Sequence, residues 1–162
     1  MNHNRLHEFS FAVGEKLRQR KAFITCAESC TGGWIAKAIT DIPNSSMYFD
    51  RGYVTYSNIA KHDLLDVSKE ILLTYGAVSA EVVKEMALGA LNKASADFSL
   101  SVSGFAGSNK KDIFNSQGKV WFGFAAKTGE VITQMRIFHG NRESIRMQAT
   151  VFSLKKILEY FL

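Results

Sequence analysis

Short β-rich runs interleaved with helical stretches predict one α/β domain: a three-layer α/β/α arrangement around a mixed sheet. Three observations carry that expectation. A buried-strand run at 22–27 stands between two segments whose apolar residues recur at helical spacing. Two further β-rich runs, 119–127 and 131–138, flank Thr128-Gly129-Glu130, which has the turn chemistry of a hairpin and adds antiparallel strands to an otherwise parallel sheet. The chain has 162 residues, 46% of them hydrophobic, enough for a sizeable core. No linker, repeat or low-complexity stretch divides it, so residues 1–162 are expected to form a single domain.

Taken in order, Leu6, Phe9, Val13 and Leu17 mark a first helix, and the basic run Arg18-Gln19-Arg20-Lys21 suits its C-terminus, where cations meet the negative end of the dipole. The run 22–27 reads as a strand buried on both faces, and 31–40 as a helix presenting Trp34, Ile35, Ala38 and Ile39. A loop at 41–46 precedes a second strand at 52–56. Ser57-Asn58 then caps a helix carrying Lys61, Leu64 and Leu65. Ser68 caps a short helix ending at Gly76, and Ser79 a longer one with an apolar stripe of Val82, Val83, Met86, Ala90, Leu91 and Ala94. Residues 97–103 form a buried strand, 104–118 a polar exposed loop, then the hairpin follows. Asn141 caps a last helix with Ile145, Gln148, Val151, Phe152, Lys155, Leu158 and Phe161 on its apolar face.

Composition narrows the function classes. Nothing approaches eighteen consecutive apolar residues and the N-terminus lacks an apolar signal core, so the chain reads as soluble and cytoplasmic with no membrane association. Cys26 and Cys30 read as reduced thiols, because no second Cys/His cluster completes a zinc site; no metal and no cofactor are expected. A net charge of +5 favours anionic partners, but the bases are scattered and no recognition motif accompanies them, so nucleic acid is not an expected partner.

Two segments hold candidate chemistry. Glu28-Ser29-Cys30-Thr31-Gly32-Gly33 follows a strand and opens a helix, so free peptide N–H groups make an anion site there; the competing reading is that Ser29 or Thr31 only caps the helix. Ser45 and Ser46 lie in a second loop, and fifteen residues after Ser46 comes Lys61, with Tyr56 between them. A serine nucleophile needs a base, and a desolvated lysine serves as one. Ser57, four residues before Lys61, competes for the same amine along the helix. His3, His7, His62 and His139 are too dispersed for a triad. Arg142 in the last helix suits a phosphate, with Arg136 and Arg146 as alternatives.

The strings AESCTGGW from Ala27, VTYSN from Val54 and YGAVSAE from Tyr75 resemble the C-terminal domain of the competence-damage-inducible protein CinA, whose stand-alone members are nicotinamide mononucleotide deamidases. The resemblance runs from about Leu6 to the C-terminus. It implies hydrolysis of the carboxamide of nicotinamide mononucleotide to nicotinic acid mononucleotide and ammonia, by a Ser-Lys mechanism without metal, in a homodimer. Carried over position by position, the polar site comprises Ser29, Ser46, Tyr56, Lys61, Ser103 and Arg142, with Thr31, Gly32 and Gly33 in the substrate-binding turn. In the first assignment Ser46 is the nucleophile, Lys61 the base, Tyr56 a hydroxyl orienting Lys61, and Ser29 part of the oxyanion site. In the reverse assignment Ser29 is the nucleophile and Ser46 supports it. Arg142 holds the phosphate in both.

The chain departs from the family pattern at Ser103-Gly104-Phe105-Ala106-Gly107-Ser108, where Thr-Gly-Ile-Ala-Gly-Pro is usual, and at 109–119, which read NKKDIFNSQGK. Those departures keep open an alternative, a non-catalytic or substrate-shifted nucleotide-binding homologue.

Overall fold

The β-rich run after the first helix forms strand β1 (Ile24–Glu28), buried at every position and shifted towards the C-terminus of 22–27. In the computed structural model, which describes residues 2–107 and 116–162, β1 is the second strand of a five-stranded sheet. The other strands are β2 (Tyr53–Val54), β3 (Phe98–Gly104), β4 (Lys119–Ala126) and β5 (Val131–Ile137), in the spatial order β2-β1-β3-β4-β5. β1 pairs in parallel with both β2 and β3, whereas β3-β4 and β4-β5 are antiparallel, so the sheet is mixed as expected.

Helices α1 (Asn2–Arg20), α2 (Trp34–Thr40) and α6 (Arg142–Phe161) cover one face; α3 (Asn58–Leu65), α4 (Lys69–Tyr75) and α5 (Ala80–Ala94) cover the other. Strand alternation assigns the faces. Ile24, Cys26, Leu100 and Val102 enter the core beneath α1, α2 and α6, while Ala27 joins Leu65, Val82, Val83 and Met86 beneath α5. The side chains predicted to cap four helices do so: Ser57, Ser68, Ser79 and Asn141 accept from the peptide N–H groups of Ala60, Ile71, Val82 and Ser144.

Small residues set how closely the α5 layer approaches. The hydroxyls of Ser99 and Ser101 donate to the α5 carbonyls of Ala87 and Val83, at 2.7 and 2.6 Å. A Cβ on Gly123 of β4 would stand 2.5 Å from the Val83 carbonyl oxygen. A Cβ on Gly89 would stand 2.0 Å from the Leu65 carbonyl oxygen, so the end of α3 rests directly on the α5 backbone. On the opposite face α1 and α6 lie side by side and parallel. At one end Arg20 donates to the carbonyls of Phe161 and Leu162, and at the other His3, His7 and Arg146 line a common cavity.

Three expectations shift. The second strand is confined to Tyr53–Val54 instead of 52–56, because beyond Val54 the chain leaves the sheet edge and Lys61 takes the carbonyls of Thr55 and Tyr56. The helix expected at 31–40 starts at Trp34, since Gly32 and Gly33 adopt φ of +60° and +98°, outside the helical region. The loop expected at 104–118 is not exposed throughout: Gly104 closes β3, Phe105 exchanges backbone hydrogen bonds with Lys119 and Gly118, and Ala106 is buried. Residues 108–115 of that loop lie outside the described residues. Cys26 and Cys30 are buried free thiols. Burial, with a lesser contribution from the Glu28 carboxylate, raises the Cys26 thiol well above its usual range, and burial pushes Cys30 up to about 11.

Candidate active site

The three parallel strands end at one edge of the sheet, and β1 lies between its two neighbours. From β1 the chain passes under one face to β2, then crosses the other face to β3, which leaves a crevice outside the carboxyl ends of the strands. Ser29 follows β1, Thr55 and Tyr56 follow β2, and Ser103 is the penultimate residue of β3. Ile137 at the end of β5 is in register with Lys119 at the start of β4, so β5 delivers the first turn of α6 to the same edge.

Lys61 crosses from α3 into this crevice. Its side chain is 1% exposed, and its Nζ lies 3.1 Å from Ser29 Oγ, 2.9 Å from the Thr55 carbonyl and 3.1 Å from the Tyr56 carbonyl. The contact with Ser57 along the helix is not what engages this amine; the Ser57 hydroxyl is the α3 cap. Two carbonyls use two N–H donors, so a neutral amine would aim its lone pair at the remaining partner, the Ser29 hydroxyl. Burial lowers the Lys61 pKa to about 8, against a small opposing pull from Cys30. A lysine that titrates there is a competent proton acceptor near neutral pH.

The turn carrying Ser29 is braced from both sides. Glu28, fully buried, accepts the Thr31 hydroxyl at 2.6 Å and the N–H groups of Ile35 and Ala36 at 2.9 and 3.0 Å, so its carboxylate occupies the start of α2. Thr31 therefore spends its hydroxyl on the scaffold, and Gly33 stands at the helix cap position. Opposite Glu28, the Arg146 guanidinium donates to the carbonyls of Cys30 and Thr31 at 2.9 and 3.1 Å and lies 5.6 Å from the Trp34 ring centroid. Glu28 was legible in the sequence as part of the motif, but its bracing role depends on where the first turn of α2 falls, which the glycine conformations decide.

Arg142 stands at the exposed rim. It donates to the Gly107 carbonyl at 2.7 Å and to the Tyr56 hydroxyl at 3.2 Å. The expected pairing of Tyr56 with Lys61 is thus made by the Tyr56 carbonyl, while its ring, 63% exposed, meets Arg142. Of the two other arginines considered for phosphate, Arg146 is committed to backbone carbonyls and Arg136 lies over the Phe152 ring. Ser103, fully buried, has the same strand parity as Ser99 and Ser101 and so faces the α5 side, where Lys61 lies.

Ser46 is not brought to Lys61 within this chain. It sits exposed in a 3-10 turn (Ser45–Met47) whose following residues pair with the beginning of β1: the Ile24 N–H donates to the Tyr48 carbonyl, and Ile24 bridges to Phe49. Ser29 lies past the other end of β1, roughly 16 Å away along a five-residue strand. Of the two serines, Ser29 is the one that lies beside Lys61.

A cavity of about 510 Å³ adjoins the far side of the turn, lined by His3, His7, Thr31, Gly32, Trp34 and Arg146 among others; Ser29 and Lys61 do not line it. Among the described residues no three His, Cys, Asp or Glu side chains are grouped so as to hold a metal ion, and no helix is long and apolar enough to cross a membrane.

Known proteins resemble this chain along nearly its whole length. The family model for the CinA C-terminal domain matches residues 6–161. A nicotinamide-nucleotide amidohydrolase PncC from Enterobacter agglomerans is 56% identical over all of this chain and 99% of its own length, and its namesake from Escherichia coli K12 is 48% identical over all of this chain and 98% of its own. Among solved structures, a CinA superfamily protein from Klebsiella pneumoniae superposes with a TM-score of 0.90 at 36% identity, covering 95% of this chain and 96% of that one. The competence/damage-inducible protein CihA from Agrobacterium tumefaciens gives 0.91 at 36% identity over 96% and 94%. With a buried lysine on the turn serine, a fold shared at that level and a family match spanning almost every residue, this chain belongs to the CinA C-terminal domain family.

Proposed function

We propose that the chain hydrolyses the carboxamide of nicotinamide mononucleotide to nicotinic acid mononucleotide and ammonia, with Ser29 as nucleophile and Lys61 as general base. The observation that carries the mechanism is the buried Lys61 amine 3.1 Å from Ser29 Oγ, with no other side-chain hydrogen-bond partner among the described residues. The substrate rests on the full-length relatives named nicotinamide-nucleotide amidohydrolase. Pyridine nucleotide recycling is a cytoplasmic task and the chain is assigned to that compartment.

In the first half-reaction Ser29 Oγ forms a bond to the amide carbon as its proton passes to Lys61 Nζ. The carbonyl electron pair moves onto oxygen, where turn N–H groups stabilise the charge. Collapse breaks the C–N bond, and the Lys61 ammonium protonates the departing nitrogen, releasing ammonia and leaving an ester on Ser29. Water then gives a proton to Lys61 and attacks the ester; the proton returns to Ser29 Oγ and the carboxylic acid leaves, losing its own proton to solvent. Arg142, charged and open to solvent beside Tyr56, holds the substrate phosphate, which fixes the carboxamide over Ser29.

Ammonia release from nicotinamide mononucleotide by purified protein tests the reading. Ser29→Ala and Lys61→Met are expected to lose at least about 10³-fold in kcat, whereas Ser46→Ala keeps wild-type turnover. Binding of the nucleotide without ammonia release would instead favour the non-catalytic alternative, and a covalent adduct trapped on Ser46 would restore the other nucleophile.

A further inference from the structure

Arg146 contacts neither Ser29 nor Lys61, yet its charge is directed at the turn between them and α2. Its Nε and Nη2 donate to two successive carbonyls, Cys30 and Thr31, and among the described residues no carboxylate lies within ion-pair distance of it. A Cβ on Gly32 would come within 3.1 Å of Arg146 Nη2, so glycine at that position lets the guanidinium close on the backbone. In a trans peptide the N–H points opposite to the C=O. Because the Cys30 carbonyl faces α6, the Thr31 N–H faces away from it. That N–H donates to no backbone carbonyl among the described residues, whereas the Gly32 N–H is taken by the Ser29 carbonyl.

We propose that Arg146 is a positioning residue for this reaction: it locks and polarises the Cys30-Thr31 peptide so that the Thr31 N–H is the donor that meets the oxyanion formed over Ser29. A cation on the carbonyl of an amide draws charge through the group and strengthens its N–H as a donor. Cys30 and Thr31, whose torsions set this peptide plane, lie in the turn between β1 and α2, where no strand or helix hydrogen-bond ladder fixes it, so a contact from outside the turn selects it. Glu28 holds the Thr31 side chain; Arg146 holds the peptide planes. This role presupposes Ser29 as nucleophile.

Arg146→Ala and Arg146→Lys test it against wild type and Ser29→Ala, with ammonia release as the assay. The expected result is a kcat lower by about 10²-fold or more with KM within a few-fold of wild type, as for loss of an oxyanion donor. Lysine recovers little, because one point charge does not reproduce a two-pronged contact. The cavity of about 510 Å³ opens beside Arg146, so guanidinium ion, far below denaturing concentration, is expected to restore part of the activity of Arg146→Ala and none of Ser29→Ala. Arg146→Lys keeps an aliphatic stem against Trp34 and remains informative where alanine does not fold. A wild-type kcat in folded Arg146→Lys, or a raised KM with unchanged kcat, overturns the proposal. Full activity in Ser29→Ala overturns the underlying mechanism instead.

Discussion

Lys61 is the residue whose surroundings most restrict what the protein can do. A lysine 1% exposed and lacking a carboxylate neighbour among the described residues is held to about pH 8 by burial. At pH 7 about one amine in ten is then neutral. If that form is the base, kcat/KM rises about tenfold per pH unit below 8 and levels above it; a profile flat from pH 6 to 9 would remove Lys61 from the role. The same shift acts on stability. The unfolded lysine, with its ordinary pKa of 10.5, binds more protons than the folded one between pH 8 and 10.5, so stability rises with pH across that window. Denaturant melts at pH 8 and 10.5 should show wild type gaining on Lys61→Met, by at most about 3 kcal/mol. The sequence made Lys61 visible as a candidate but not its partner. Ser46 and Ser29 are both small hydroxyl residues in turns; only the direction of β1 places Ser29 at the carboxyl edge of the parallel strands, beside Lys61, and Ser46 at the opposite edge.

Among the elements, α3 owes its place to α5. The sheet carries α5 closely through Ser99, Ser101 and Gly123, and α5 carries the end of α3 through Gly89, so the position of Lys61 depends on four close contacts made by residues outside the crevice. Gly89→Ala drives a methyl into the Leu65 carbonyl. A stability loss of about 1–3 kcal/mol is expected, together with a fall in kcat as α3 tilts and the 3.1 Å contact to Ser29 lengthens. Unchanged melting and turnover would show that α3 and α5 have slack between them. Helix limits were readable wherever a capping side chain fixes them, as at Ser57, Ser68, Ser79 and Asn141. They were misread at α2, where two glycines and a buried glutamate from the preceding strand decide the first turn.

Across the whole molecule one sheet separates two cores, and a tryptophan reports on each: Trp34 packs against the α1, α2 and α6 side, Trp121 against the α5 side. Since β1 and β4 contribute to both, the layers should unfold together. Fluorescence melts of Trp34→Phe and Trp121→Phe, each normalised to its own stability from circular dichroism, should coincide with that signal; separate transitions would mean that one layer detaches first. The three layers and the mixed sheet were legible from alternation and the hairpin. Strand order was not, because whether β2 or β3 lies on a given side of β1 depends on crossovers that leave no local signature. The parallel pairing of α1 with α6 also fixes which ends of the two helices lie together. Their first turns border the cavity beside Thr31 and Gly32, and their last turns meet at the far end of a 20-residue helix, roughly 30 Å away. A bulky group attached at His3 or His7 would therefore stand over the cavity on the α2 side of the Ser29 turn, whereas one attached beside Phe161 would leave both that cavity and the crevice open.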